Sequence, residues 1–284
     1  LEIAIARVKE NKIPLIYVNQ VGGQDELVFD GSSFAINSDQ SILAQAPAWE
    51  ESLLEINYEK GEGLKSDIAL NLSDNNELSD IYSAMVLGLK DYVNKNNFPG
   101  IILGLSGGID SALCAAIAVD ALGSDRVSCF MLPFRYTSKQ SFVDAKECAK
   151  NLNISLDSLN IEDSFKSLED VLNPFFKGLP KDVTEENLQS RIRGVLLMAL
   201  SNKGGSMVVT TGNKSEVSVG YATLYGDMNG GYNPIKDIYK TEVYELAKWR
   251  NSNTTSCSLG PSGEVIPLSI IEKDDVKFLI KIFI

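Results

Sequence analysis

Between the aliphatic run Ile101-Ile102-Leu103 and the stretch Ala115-Ala116-Ile117-Ala118 lies the octapeptide Gly104-Leu105-Ser106-Gly107-Gly108-Ile109-Asp110-Ser111. A buried strand, a glycine pair and a helix start in that order make an anion site. Residues without Cβ let backbone N–H groups approach phosphate oxygens, and the helix dipole favours negative charge. Ser106 and Ser111 can add hydroxyl donors. The loop is not a Walker A sequence, which needs a Lys before its final Ser or Thr, and its spacing does not fit GxGxxG. An acid stands where the Lys would be. Asp110 beside a phosphate cradle is therefore a candidate Mg²⁺ ligand, because Mg²⁺ prefers oxygen donors and bridges phosphates. The plainer alternative is a Gly-rich helix start with Asp110 as its cap.

The surrounding pattern predicts elements able to hold such a loop. Helices are expected over 78–94, 111–122, 139–152, 161–172, 184–202 and 240–251, with strands over 100–105, 126–132, 155–160 and 206–211. Thr184 is the expected cap of its helix, with Glu185 and Glu186 in the first turn. Strands alternating with helices imply βαβ crossovers and a doubly wound parallel sheet, whose ligands sit beyond the carboxyl ends of the strands. Ahead of this, an amphipathic helix (Leu1, Ile3, Ile5, Val8) precedes short strands at 14–19, 27–29, 34–37 and 42–44. Turns are expected at Gly22-Gly23 and Asp30-Gly31. Residues Glu55 to Asn76 are polar and read as a linker, ending in a helix cap within Ser73-Asp74-Asn75-Asn76. The expected division is 1–58, a linker at 59–76, and 77–284. The chain opens at Leu1 inside a helical pattern, which reads as a fragment of a longer protein.

Composition narrows the chemistry. A formal charge of −12 sets a repulsive field against nucleic acid, so no nucleic-acid partner is expected. The apolar runs are too short to span a bilayer and no leader opens the chain, so the expectation is a cytoplasmic protein without membrane contact. There is no histidine, and the four cysteines (Cys114, Cys129, Cys148, Cys257) form no CxxC pair. Zinc sites and Ser-His-Asp or Cys-His machinery are thereby excluded, and charge stabilisation is favoured over proton shuttling. The cysteines read as reduced structural thiols.

Ser106-Gly107-Gly108-Ile109-Asp110-Ser111 resembles the SGGxDS pyrophosphate loop of the ATP-pyrophosphatases, an adenine nucleotide alpha hydrolase-like fold. Pro133-Phe134-Arg135-Tyr136-Thr137-Ser138, Thr210 to Glu216, Gly220 to Asp227, Pro234-Ile235 and Lys240-Thr241 resemble segments of glutamine-dependent NAD⁺ synthetases within that group. The resemblance implies amidation of deamido-NAD⁺ (nicotinic acid adenine dinucleotide) to NAD⁺ through an adenylated carboxylate, with release of AMP and pyrophosphate. Ammonia or glutamine supplies the nitrogen. It implies that Gly104, Leu105, Ser106, Gly107, Gly108, Ile109, Asp110, Ser111, Arg135, Thr211 and Lys240 bind ATP, and that Asp110 and Glu216 hold Mg²⁺. Asn187, Arg191 and Glu216 would contact deamido-NAD⁺, with Arg193 as an alternative to Arg191. A homo-oligomer is implied as well. Lys240 can also be read as a solvated charge at a helix start, Glu216 as a first-turn acid answering the helix dipole, and the two arginines as surface charges.

Tyr17 to Phe34 resembles the end of the nitrilase-like α+β glutaminase domain fused to these synthetases. Its Glu, Lys and Cys triad would precede Leu1, so none of the cysteines is nominated as its nucleophile. At the other end the family's Pro-Ser-Ala-Glu-Leu loop has no counterpart where Ile271-Glu272-Lys273 runs into Asp274-Asp275-Val276. Two other readings stay open: another ATP-pyrophosphatase amidotransferase such as a GMP synthetase, and a catalytically silent nucleotide-binding scaffold.

Overall fold

A computed structural model describes residues 1–67, 76–135 and 137–273. Tyr136, the Ser73-Asp74-Asn75 part of the expected cap and the Asp274-Asp275-Val276 junction lie outside the described residues. By contacts the chain divides into two compact units, Leu1–Asp91 and Tyr92–Ile284.

The first unit opens with helix α1 (Glu2–Asn11) and strand β1 (Leu15–Tyr17). A hairpin of β2 (Val21–Gln24) and β3 (Leu27–Asp30) follows, then β4 (Phe34–Ile36) and β5 (Ile42–Gln45). Strands β1, β4 and β5 form an antiparallel sheet with β4 in the middle. The expected turn at Gly22-Gly23 is instead the interior of β2. A Cβ on Gly23 would lie 3.1 Å from Gly88 Cα, and the Gly23 N–H donates to Asp91 Oδ2 at 2.8 Å. The glycine serves close approach of a strand to helix α2 (Glu77–Lys95), a role that local turn statistics do not reveal. The segment read as a linker also carries structure. Strands β6 (Asn57–Glu59) and β7 (Gly63–Lys65) pair antiparallel, and Asn37 bonds both ways to the backbone of Leu64. Asn76, the last residue of the expected cap, accepts the Ser79 N–H at 3.2 Å.

The second unit is built on four parallel strands in the order β10-β9-β8-β11: β8 (Ile101–Gly104), β9 (Val127–Met131), β10 (Ser155–Ser158) and β11 (Met207–Val209). The first three residues of β8 are buried, as a central parallel strand covered on both faces requires. Chain order runs outward from β8 to β9 and β10, then returns to place β11 on the other side of β8. That reversal makes the carboxyl ends of β8 and β11 a topological switch point, where open α/β sheets bind ligands.

Helix α3 (Ile109–Leu122) follows β8, and all but one of its residues are buried, consistent with an apolar sequence on every side. The exception is Asp110. Helix α4 (Lys139–Asn151) leads to β10; α5 (Glu162–Phe176) and α6 (Val183–Gly204) lead to β11. Beyond β11 come α7 (Lys214–Val219), inside a stretch expected to be loop, then α8 (Lys240–Ser252) and α9 (Leu268–Ile271).

Several expected boundaries shift for identifiable reasons. The cap of α6 is Asp182, not Thr184: Asp182 accepts the Thr184 N–H at 2.8 Å, and Glu185 accepts the Asp182 N–H in return. A capping box outcompetes a lone threonine. Helix α5 passes its expected end and contains Pro174. Leu132, Phe134, Ile161, Phe165 and Ile192 form a core cluster joining α5 and α6 to the segments after β9 and β10.

Candidate active site

The octapeptide takes the strand-loop-helix path that its composition predicts. Gly107 lies at φ 78°, and a Cβ there would collide with the carbonyl oxygen of Ser141 in the first turn of α4. The N-cap of α3 is Gly108, so Asp110 does not cap the helix; it sits in the first turn. The loop is tied internally by its hydroxyls. Ser111 Oγ accepts from the Ser106 N–H at 3.2 Å and donates to the Gly108 carbonyl at 3.0 Å, while Ser106 Oγ accepts from the Gly108 N–H at 3.2 Å.

Two adjoining cavities open on this loop. One, of about 760 Å³, runs from Gly104-Leu105-Ser106 past the end of β9 to α6, where Asn187, Ser190 and Arg193 line it. The other, about 450 Å³, is lined by Ser106, Gly108, Asp110, Ser111, Thr211 and Glu216 among others. Ser106, Thr210, Thr211 and the loop carrying Tyr221, Ala222 and Asp227 border both. That loop is folded onto α6: Asn187 Oδ1 accepts from Thr223 Oγ1 at 3.0 Å, and Ser190 Oγ accepts from the Asp227 N–H at 3.0 Å. Gly194 permits the approach, since a Cβ there would lie 2.9 Å from the Gly226 carbonyl.

Charge gathers at the smaller cavity. Lys240, at the start of α8, makes an ion pair with Asp110 Oδ2, and the other Asp110 oxygen accepts from Asn213 Nδ2 at 2.8 Å. The Lys240 and Asp110 side chains are only 14% and 17% exposed, which removes the reading of Lys240 as a solvated charge. Asn213 is fully buried and also forms a capping box with Glu216: its Oδ1 accepts from the Glu216 N–H and its N–H donates to Glu216 Oε2, each at 3.1 Å. Glu216 is thus a capping acid and a lining residue together. Burial first, and then the nearby Asp110 charge, raise its carboxyl above the ordinary value, against the pull of the Asn213 N–H and Lys240. Asn213 had no role assigned from sequence. Its Asn-x-x-Glu spacing with Glu216 was the available signal.

Not every candidate lines a cavity. Ile109 is core, and Gly107 is pressed against α4. Arg135 pairs with Glu162 at 3.0 Å and stacks over Phe134, and it lines neither cavity. Arg191 donates to the Leu224 carbonyl at 3.2 Å and borders an apolar groove between α5 and α6. Arg193 reaches the larger cavity; its Nε donates to the Leu132 carbonyl at 3.0 Å, and burial lowers its pKa. The thiols of Cys114, Cys129 and Cys148 are buried and raised by burial, that of Cys148 to about 12, which suits the expected inert role.

The family model for NAD synthase matches residues 81–278. The chain belongs to the NAD synthase family. A second model, for carbon-nitrogen hydrolase, matches residues 1–60 of this NAD synthase chain. The glutamine-dependent NAD(+) synthetase of Rhodobacter capsulatus is 51% identical over 276 residues, covering 96% of this chain and 50% of that protein. The glutamine-dependent NAD⁺ synthetase from Acinetobacter baumannii, solved in complex with adenosine diphosphate, superimposes with a TM-score of 0.87 at 46% identity, covering 95% of this chain and 50% of its own. NMN synthetase from Francisella tularensis matches with a TM-score of 0.60 at 26% identity, covering 70% and 75%. The chain spans about half the length of the curated relatives it matches. Membership in this family sets aside a GMP synthetase. Among the described residues no helix is long and apolar enough to cross a membrane.

Proposed function

We propose that the second unit uses ATP to amidate deamido-NAD⁺. The observation that carries this is the meeting of a pyrophosphate loop with Asp110 and Glu216 at the smaller of two adjoining cavities, where Lys240 pairs with Asp110, in a chain of the NAD synthase family. A carboxylate oxygen of the nicotinate attacks the α-phosphorus of ATP, and the bond to the β-phosphate oxygen breaks as pyrophosphate leaves. Ammonia then attacks the acyl carbon and loses a proton, and the C–O bond to AMP breaks. Both steps need stabilisation of negative charge on a phosphate leaving group more than they need a nucleophilic side chain, which fits a site without histidine.

The loop from Gly104 to Ser111 would hold the β and γ phosphates, with Ser106 and Ser111 turning hydroxyls toward them. Lys240 would place its ammonium near the departing pyrophosphate. The larger cavity would take the dinucleotide, with Asn187 and Arg193 from α6 along its wall; Arg191 and Arg135, placed elsewhere, would act only through their neighbours. Asp110 and Glu216, neighbouring carboxylates on the smaller cavity, fit Mg²⁺, an ion that characteristically takes one or two carboxylates with substrate phosphates and water. Bound there, Mg²⁺ would neutralise phosphate charge and offset the Asp110 charge that, after burial, raises the Glu216 carboxyl.

The match of residues 1–60 to carbon-nitrogen hydrolase supports glutamine as the ammonia source. Free buried cysteines suit a reducing, cytoplasmic setting. The apolar groove between α5 and α6, flanked by exposed Leu168, Val171, Phe175 and Val195, supports assembly with a second copy.

The test supplies full-length protein with ATP, Mg²⁺ and deamido-NAD⁺, with ammonium or glutamine in turn. NAD⁺ and AMP should form from either nitrogen source. Asp110→Ala should reduce both by at least about 10²-fold, the scale of losing one preorganised electrostatic group. Absence of both products from the wild type would leave only the silent scaffold, and amidation of the mononucleotide alone would replace the dinucleotide as substrate.

A further inference from the structure

A pair of side chains outside both cavities, Asp144 and Lys273, sits behind the pyrophosphate loop, and Lys273 reaches it. Asp144 on α4 is fully buried; its Oδ1 accepts from Gln140 Nε2 at 2.7 Å and from Ser269 Oγ at 2.8 Å. Its Oδ2 has no hydrogen-bond donor among the described residues and faces Lys273 Nζ at 3.6 Å. The same ammonium reaches the carbonyl oxygen of Gly107 at 3.4 Å, the long end of the hydrogen-bond range. On the other side of that residue, the Ser141 carbonyl of α4 leaves no room for a Cβ. One peptide of the loop is therefore enclosed by α4 and by Lys273, which lies just past the C-cap of α9.

The orientation of that peptide decides what the loop offers a ligand. A trans peptide is planar, with its C=O and N–H pointing in opposite directions. With the Gly107 carbonyl turned toward Lys273, the Gly108 N–H points the other way, into the loop, where Ser106 Oγ accepts it and Gly108 lines the smaller cavity. Rotation of this peptide is easy because both flanking residues are glycines, for which either sign of φ is accessible. Turned over, it would present carbonyl lone pairs to a phosphate. The glycine pair that admits the anion thus also permits a loop that repels it.

We propose that Lys273, held by Asp144, is a positioning residue that fixes the Gly107–Gly108 peptide in its anion-accepting orientation and so sets affinity for the pyrophosphate part of a nucleoside triphosphate. The inference rests on the phosphate-binding reading of this loop. It differs from a simple role of Lys273 as a distant positive charge. In that case, removing the Asp144 charge would leave phosphate affinity unchanged or improve it; for a held ammonium, the same change weakens binding.

The test measures binding of inorganic pyrophosphate and of ATP, each with Mg²⁺, to the full-length protein by titration calorimetry, together with KM and kcat for ATP. Lys273→Met should weaken both ligands about tenfold, the scale of losing one charge-assisted hydrogen bond. KM should rise more than kcat falls, and Lys273→Arg should restore most of the affinity. Asp144→Asn should weaken binding in the same direction, and the double variant should be no worse than Lys273→Met alone. Wild-type affinity in Lys273→Met, or unchanged or tighter binding in Asp144→Asn, overturns the proposal. If Asp144→Asn does not fold, the Met and Arg variants of Lys273 decide it. A wild type that binds both ligands but forms no NAD⁺ defeats the proposed reaction and leaves these binding outcomes decisive. One that binds neither defeats the phosphate loop and this inference together.

Discussion

Helices α3 and α8 are joined at two levels by acid-base pairs with the same sequence separation of 130 residues, Asp110 with Lys240 and Asp120 with Arg250. Equal separations mean that the two helices run in the same direction, so the pairs are successive rungs of one ladder. The rungs differ in kind. Asp120 and Arg250 are fully enclosed, with the guanidinium forked onto both carboxylate oxygens at 2.5 and 2.9 Å and also donating to the Pro261 carbonyl at 2.8 Å. Asp110 and Lys240 stand at the cavity end, partly exposed, joined through one carboxylate oxygen while Asn213 holds the other. A planar guanidinium in a closed fork fixes geometry; an ammonium on a flexible stem is a point charge that can follow a ligand. The closed rung holds the helices in place, and the open rung is the one that would exchange partners in the proposed reaction.

Breaking the closed rung should have the largest effect on stability. Asp120→Ala leaves the Arg250 charge enclosed without its carboxylate, and denaturant titration should show a loss of about 3–5 kcal/mol. Arg250→Lys should recover little of this, because three ammonium donors cannot reproduce the fork. A loss below about 1 kcal/mol for Asp120→Ala would show that the two rungs are alike after all.

Opening the cavity rung should cost less in stability and more in response to ligand. Lys240→Met removes the cation that offsets Asp110 and lowers the Glu216 pKa, leaving two neighbouring carboxylates. The expected loss is about 1 kcal/mol, the ordinary scale of a point substitution. Added Mg²⁺ should raise the unfolding midpoint of this variant more than that of the wild type, since the ion no longer shares Asp110 with an ammonium. Equal Mg²⁺ responses in the two proteins would place the ion elsewhere.

The two rungs were also unequally visible in the sequence. The pyrophosphate loop was legible because its parts are contiguous: an aliphatic strand, two glycines and an apolar helix define its path within a few residues. The alternation of strands and helices gave the parallel sheet for the same reason. Neither ion-pair partner could be read locally, since each acid meets its base across 130 residues. Lys240 came forward only through resemblance, and Arg250 not at all. Gly22-Gly23 read as a turn because the helix that needs Gly23 to lack a side chain lies far along the chain, at Gly88 and Asp91. Asp182 and Thr184 both suit the cap position, and only the reciprocal bond from the Asp182 N–H to Glu185 decides between them.

The smallest expected effect isolates the electrostatics of the open rung. The Glu216 carboxyl is raised above its ordinary value of 4.5, chiefly by burial and then by Asp110. A group whose folded-state pKa lies above its unfolded one contributes stability that is fully present below the unfolded value and is lost as pH rises through the folded value. Glu216→Gln can keep the capping box, because a glutamine oxygen still accepts the Asn213 N–H. The difference in unfolding free energy between wild type and variant should therefore fall as pH rises from below 4.5, then level off. Adding Lys240→Met to both proteins should deepen that fall, since Lys240 opposes the upward shift. Parallel pH profiles for wild type and Glu216→Gln would mean that Glu216 caps α7 without sharing the charge of the open rung, and Asp110 would then stand as its sole acid.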